Sequence, residues 1–285
     1  MIGVTGSTGR LGRLVIAELL ERVPAGRIVA LARNLEKARD LSMRGITIRH
    51  ADYDDPATLD SALAGIEQLL LISGSEVGRR IVQHRNVIEA AQRAGVRLLV
   101  YTSLLHADRS PLRALAEEHL ATEETVRTSG LQWVILRNSW YTENYEERAR
   151  AAATTGELVG ATGRARIASA TRADYAAAAA VVLTGDGYAG RIYELAGDEA
   201  WTMDDLACLI AEGSGRPVTY RDLSPEKYVA YLVERGTPRP IADVLAALEA
   251  GIAQDALFDE SRQLSQLIGR PTTPLREVVY HWLRT

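Results

Sequence analysis

Six short apolar runs, at residues 1–4, 28–32, 46–49, 69–73, 98–102 and 134–136, constrain this chain more than any other feature. They carry little polar alternation, as strands covered on both faces require. Between them lie segments of helical period: 11–21 sets Leu11, Val15 and Leu19 at i, i+4 and i+8, and 58–64 and 82–94 carry similar apolar faces. Strand and helix alternating in this way predict an α/β chain, a Rossmann-type doubly wound parallel sheet with helices on both sides.

The pattern changes after Arg137. An aromatic cluster (Trp140, Tyr141, Tyr145) and three spaced glycines (Gly156, Gly160, Gly163) precede one more helix at 175–183 and a strand at 191–195. The alanine run at 176–180 suits a helix lying close on the sheet, since alanine is the best helix former and has no bulk. Beyond Trp201 the chain reads as mostly helical, broken by the loops "GSGRP" and "GTPRP", and no sheet is expected there. Residues 1–136 with 164–190 are expected to form a nucleotide-binding domain, and 137–163 with 191–285 a smaller, mostly helical lobe that takes the substrate.

Composition excludes several alternatives. The 33 Lys and Arg are interspersed with 37 Asp and Glu for a net charge of −4, which gives no basic stripe for nucleic acid. A single cysteine, Cys208, forbids an internal disulfide, and no run of about eighteen apolar residues exists to cross a bilayer. No basic leader precedes the first strand, so a cytoplasmic protein without membrane insertion is expected. The five histidines, at 50, 84, 106, 119 and 281, show no metal-ligand spacing, and the acid pairs Glu117–Glu118 and Asp204–Asp205 read as solvated surface.

Directly after the first run stands "TGSTGRLG", residues 5–12, leading into the first helix. Its spacing, Gly6, Gly9 and Gly12 with Ser7, Thr8, Arg10 and Leu11 between, lacks the lysine of a P-loop and does not form a nucleophile elbow. Gly6 suits a tight turn, Gly9 a close approach of backbone to phosphate, and Gly12 a helix lying against its strand. Free N–H groups and the positive end of the helix dipole would then face a pyrophosphate. At the end of the second run, where NAD enzymes place a carboxylate on the ribose, "IVALARN" places Arg33, which suits a 2'-phosphate. Lys37 and Arg10 add to the positive field, and Glu36 opposes it.

These features, together with "ADYDD", "LLLISGSE", "VYTSLLHAD", "LRNSWYTENY", "SATRADYAAAAA" and "LIGRPTTPL", resemble the NmrA-like atypical short-chain dehydrogenase/reductases. Within that family the chain is most similar to bacterial flavin-free NADPH-dependent quinone oxidoreductases, with triphenylmethane dye reductases as near relatives. The resemblance implies NADPH as cofactor, held by residues 6–12 and Arg33, with Asp52 and Tyr53 beside the adenine. It implies Ser73, Gly74 and Ser75 under the ribose and phosphates, and Arg137, Asn138, Trp140 and Tyr141 around the nicotinamide and acceptor, with Tyr145 nearby. The oligomeric state stays open, a homodimer being one option.

Ordinary short-chain enzymes use Ser and Tyr-x-x-x-Lys, followed by a glutamate. Aligning "LAEEHLATE" keeps Ser103 and Glu123 but puts Leu115 at the tyrosine and His119 at the lysine. Reduction of a simple ketone forms an alkoxide and needs a proton donor. Reduction of a quinone leaves a phenolate-like anion, with a pKa of about 10 by analogy with tyrosine, and a cationic dye is simply neutralised. The missing acid therefore points to a quinone reductase that transfers hydride directly, with Asn138 orienting a carbonyl or carboxamide and His119 as the one candidate donor. The reading from another class is an NADP(H)-binding redox sensor without catalysis.

Overall fold

In a computed structural model, residues 1–284 are described. In chain order the elements are β1 (Ile2–Val4), α1 (Arg10–Leu20), β2 (Ile28–Ala32), α2 (Arg39–Met43), β3 (Thr47–His50), α3 (Pro56–Ala62), β4 (Gln68–Leu71), α4 (Arg80–Arg93), β5 (Leu98–Leu104), α5 (Arg113–Thr128) and β6 (Gln132–Asn138). There follow α6 (Glu146–Thr155), β7 (Glu157–Gly160), α7 (Arg172–Thr184), β8 (Arg191–Leu195), α8 (Met203–Ser214), β9 (Thr219–Asp222), α9 (Pro225–Glu234), α10 (Arg239–Ile252), α11 (Gln263–Ile268) and α12 (Leu275–Arg284).

Seven parallel strands form one sheet in the order β3-β2-β1-β4-β5-β6-β8. The continuous apolar runs divide residue by residue between two cores. Leu70, Val100, Val134 and Leu136 face α1 and α7, while Leu69, Leu71, Leu99, Tyr101 and Ile135 face the opposite side with Val87 and Ile88 of α4. The alanine run at 176–180 is buried throughout and lets α7 pack on α1 and the sheet.

Three expectations are corrected. The run at 46–49 becomes β3, an edge strand whose side chains are partly or fully exposed. The strand at 191–195, assigned from sequence to the substrate lobe, hydrogen-bonds β6 and completes the main sheet. The chain beyond Trp201 does enter a sheet: β9 pairs in parallel with β7, from Glu157↔Thr219 to Gly160↔Asp222. Four residues directly after the Gly/Pro loop are too short to show period 2, and only the partner strand makes them a strand.

A third core, with Leu104, Tyr145, Trp201, Leu206, Ile210 and Trp282, joins α6, α8 and α12 beyond the C-terminal edge of the sheet. The helix α8 begins at a capping box in which Thr202 and Asp205 satisfy each other's backbone N–H, so Asp205 is a cap. Among the described residues no helix is long and apolar enough to cross a membrane.

The strand order reverses between β1 and β4, which is where an open α/β sheet leaves a crevice at its carboxyl ends. From β1 the chain enters the glycine turn, and from β4 it enters Ser73, Gly74 and Ser75.

Candidate active site

The glycine turn has the shape of a cradle. Gly6 adopts φ +56°, a left-handed conformation that glycine takes without strain. A Cβ on Gly12 would lie 2.8 Å from Ser7 Cα and 2.9 Å from the Gly6 carbonyl carbon, so only glycine lets α1 start this close to the turn. Gly9 is exposed, and a Cβ there would meet only the Gly6 carbonyl oxygen at 3.2 Å. Gly9 is also the N-cap, with no side-chain cap bond and no acid in the first turn. The first N–H groups of α1 therefore face outward without an intrahelical partner, as an anion requires. Ser7 is buried and donates its hydroxyl to the Leu31 carbonyl at 2.9 Å, so its side chain anchors the turn to β2. Thr8 is half-buried and Arg10 exposed, whereas Leu11 packs into the core.

Arg33 stands at the end of β2, two-thirds exposed, its guanidinium held 3.3 Å from Glu76 of the loop after β4. Lys37 is exposed, and its backbone carbonyl accepts from Arg13. Tyr53 turns its hydroxyl inward, 2.5 Å from Thr5 Oγ1 and 3.0 Å from the Ile72 carbonyl oxygen, where it ties the ends of β1 and β4 together. Asp52 takes the Asp54 N–H within its own turn.

Around the end of β6 the neighbours Arg137 and Asn138 point to opposite sides of the sheet. Arg137, expected beside the nicotinamide, is engaged in an ion-pair network. Its guanidinium is buried against Glu123 (2.8 and 2.9 Å), Glu194 (2.8 Å) and Asp108 (2.7 Å). Burial alone would lower its pKa, but bonds to Glu123 and Glu194 outweigh that and hold it above the ordinary arginine value. Ser103 donates to the same Glu123 at 2.6 Å. Both retained short-chain positions, Ser103 and Glu123, are thus consumed by an ion-pair network.

Asn138 is buried, and its Oδ1 has no hydrogen-bond partner. Burial raises the pKa of the nearby Tyr141 hydroxyl, and the Asn138 side chain partly opposes that shift. Arg172, which sequence reasoning missed, lies 4.4 Å over the Tyr141 ring, with Glu143 bonding its backbone N–H. The segment "SATRADY" contained it, but only the fold brings it back to Tyr141. A cavity of about 1110 Å³ opens beside this group, with Arg10 and Trp140 among its lining residues together with Tyr145, Leu158, Tyr228 and Tyr231. Tyr145 is almost wholly buried and packs edge-on against Trp201 at 4.9 Å.

His119 lies elsewhere, inside the α4–α5 side of the sheet, with Nδ1 2.7 Å from the Tyr101 hydroxyl. Burial and then the Arg80 charge push its pKa down to about 3, so it holds no exchangeable imidazolium at neutral pH. Glu118, expected on the surface, is buried beside Arg80 as an ion pair. No group of three or more metal-ligating side chains occurs among the described residues.

These residues fit a dinucleotide: a glycine cradle that a Cβ would fill, an exposed arginine at the second strand and an orphaned buried amide oxygen at the sixth. Residues 6–185 match the family described as NAD(P)H-binding. Over 99% of its length the chain is 54% identical to quinone oxidoreductase 2 of Escherichia coli (strain K12), covering 98% of that protein. It superposes on the crystal structure of the NADPH-dependent quinone oxidoreductase from Escherichia coli complexed with NADPH at a TM-score of 0.96, covering 99% of each chain at 54% identity. With the Citrobacter sp. triphenylmethane reductase complexed with NADP(H) the TM-score is 0.95 at 41% identity, covering 99% of this chain and 100% of that one. The likeness suggested by scattered motifs thus extends over the whole backbone, and the chain belongs to the NAD(P)H-binding family, on its NmrA-like branch.

Proposed function

We propose that the protein is an NADPH-dependent oxidoreductase that reduces quinones by direct two-electron hydride transfer. The observation that carries this reading is the absence of a usable acid at the short-chain catalytic positions. Leu115 replaces the tyrosine, His119 is buried and neutral, and Ser103 is bound to Glu123. Such a site suits an acceptor whose reduced form is a stabilised anion.

The bound reduced nicotinamide supplies the hydride. The glycine turn offers its N–H groups to the pyrophosphate, with Arg33 and Lys37 beside the 2'-phosphate and Asp52 and Tyr53 beside the adenine. Ser73, Gly74 and Ser75 line the crevice at β4. Asn138, whose Oδ1 is unpartnered, would accept a hydrogen bond from a carboxamide N–H and so orient the nicotinamide. Trp140 and Tyr145 line the cavity proposed for the acceptor, and Tyr141 stands next to Trp140 in the chain, edge-on against Tyr175. The residues orient the partners, which can supply much of a rate enhancement without acid catalysis.

Steady-state oxidation of NADPH by a soluble benzoquinone, compared with an aliphatic ketone of similar size, tests the proposal. Quinone turnover with no ketone turnover is expected. Nucleotide binding without turnover of any quinone would make the chain a redox sensor. The 41% identity to a triphenylmethane reductase favours cationic dyes as a second acceptor class, to be assayed alongside.

A further inference from the structure

The segment joining β4 to α4, residues 72–79, carries Ser73, Gly74, Ser75 and Glu76, and its backbone is gripped from behind by buried side chains. Ser73 N–H donates to Thr102 Oγ1 at 2.9 Å, and Gly74 N–H to His84 Nε2 at 2.9 Å. The Gly74 carbonyl accepts from Arg80 Nε at 2.8 Å, and Gly78 N–H donates to Glu118 Oε1 at 2.7 Å. Arg80 is also paired with Glu118, so both ends of the segment are joined through one ion pair.

The hydrogen bonds fix the tautomer of His84. A backbone N–H can only donate, so Nε2 must be the unprotonated acceptor and Nδ1 must carry the proton. Nδ1 lies 3.0 Å from Thr122 Oγ1, whose own hydroxyl is donated to the Glu118 carbonyl at 3.0 Å. The chain of bonds therefore runs one way, from Gly74 through His84 and Thr122 to the backbone of α5. The imidazole is fully buried and has T-shaped contacts with Tyr53 and Tyr101, at 6.2 and 5.4 Å between ring centroids. Gly74 has no side chain, so these backbone bonds alone set its position.

We propose that His84 is a positioning residue for nucleotide binding: by accepting the Gly74 N–H it holds residues 73–75 in the binding-competent arrangement before NADPH arrives. The proposal rests on the reading of Ser73, Gly74 and Ser75 as nucleotide contacts. Without the bond the segment distributes over other arrangements, and apparent affinity falls by the competent fraction. None of the mechanistic roles proposed above uses this network.

Two near-isosteric variants separate positioning from bulk stability. In His84→Gln, Oε1 takes the place of Nε2 and still accepts from Gly74. In His84→Asn, Nδ2 takes the place of Nδ1 and satisfies Thr122 but leaves the Gly74 N–H bare. Both variants are expected to lower Tm to a similar degree. Hydrogen exchange of the 73–79 segment in nucleotide-free protein should accelerate in His84→Asn and return towards wild type in His84→Gln. NADPH titration should show affinity about tenfold weaker for His84→Asn and within about threefold of wild type for His84→Gln, as expected for leaving one buried donor unpaired. Equal affinity losses in both variants, or none in His84→Asn, would overturn the proposal. Exchange of the wild-type segment with and without NADPH is measured first. If the nucleotide gives no protection, residues 73–75 leave the site and the proposal falls with them. That result is distinct from a failure of the His84 grip, which shows without nucleotide.

Discussion

Gly9 and Gly12 lie three residues apart in one turn, yet the structure assigns them opposite consequences on substitution by alanine. At Gly12 the added Cβ meets backbone on every near side, 2.8 Å from Ser7 Cα and 2.9 Å from the Gly6 carbonyl carbon, with the Gly6 carbonyl oxygen closer still. Nothing there can rotate away, so α1 must move off β1, where Leu11, Val15 and Leu19 are packed. Overpacking of this kind costs about 3 kcal/mol, equivalent in a chain this size to a fall of about 5 °C in Tm. At Gly9, φ is −77° and the single neighbour is the Gly6 carbonyl oxygen at 3.2 Å, so alanine is accommodated and Tm falls by only about 1–3 °C, the effect of a poorer N-cap. That methyl group would project from the exposed turn and lengthen hydrogen bonds between N–H groups and phosphate, each worth about 1.5–3 kcal/mol, so NADPH affinity should fall about 10- to 100-fold. Thermal unfolding by circular dichroism and calorimetric titration of both variants measure the two effects. An unchanged Tm for Gly12→Ala, or unchanged NADPH binding by folded Gly9→Ala, would refute the assignment of the turn.

Arg33→Ala should weaken NADPH binding about tenfold and NADH binding little; the low end of the charge-assisted range applies because this guanidinium is exposed and already shared with Glu76. Equal losses for the two nucleotides in parallel titrations would remove Arg33 from the 2'-phosphate site. Arg137→Met should cost about 3–5 kcal/mol in urea unfolding, because it strands the buried Glu123, while the affinity of the folded variant for NADPH stays near wild type. A selective loss of nucleotide binding would instead return Arg137 to the nicotinamide. His84 and His119 have folded pKa values of about 3, both lowered first by burial, against an ordinary value near 6.5. The unfolded chain therefore takes up protons that the folded one refuses, and stability falls as pH drops from about 6.5 towards 3, by about 1.4 kcal/mol per pH unit for each histidine. His119→Gln should flatten that slope in unfolding measured between pH 6 and 5, and an unaltered slope would count against a buried neutral imidazole. Because His119 is not a proton reservoir, His119→Ala should reduce quinone turnover by far less than the roughly 10²- to 10⁴-fold loss of a true general acid.

Local and periodic features were legible in the sequence. Unbroken apolar runs meant strands covered on both faces, and Leu70 and Val100 do face one core while Leu69, Leu71 and Leu99 face the other. The glycine spacing between a strand and a helix marked a cradle because steric exclusion at Gly12 acts between residues six apart or fewer, within reach of a local pattern. Arg33 at a strand end and Leu115 and His119 at the catalytic positions were likewise readable, since they depend on register along one chain.

Only the tertiary structure decided which polar residues are free to act. Arg137 and Asn138 are adjacent in sequence, and nothing local distinguishes them as ligands. The pleat sends Arg137 among Glu123, Glu194 and Asp108, and leaves Asn138 with an unpartnered oxygen on the other side. Glu118 looks like surface beside Glu117 until α4 brings Arg80 against it, and His84 stands in an unremarkable helix until Gly74 is placed beside its ring. Strand β9 exists because β7 offers it a ladder, and Arg172 reaches Tyr141 because α7 begins where the segment after β6 passes. A side chain's charge, hydrogen bonding and burial are set by partners distant in sequence, and those partners are assembled only when the sheet closes its layers.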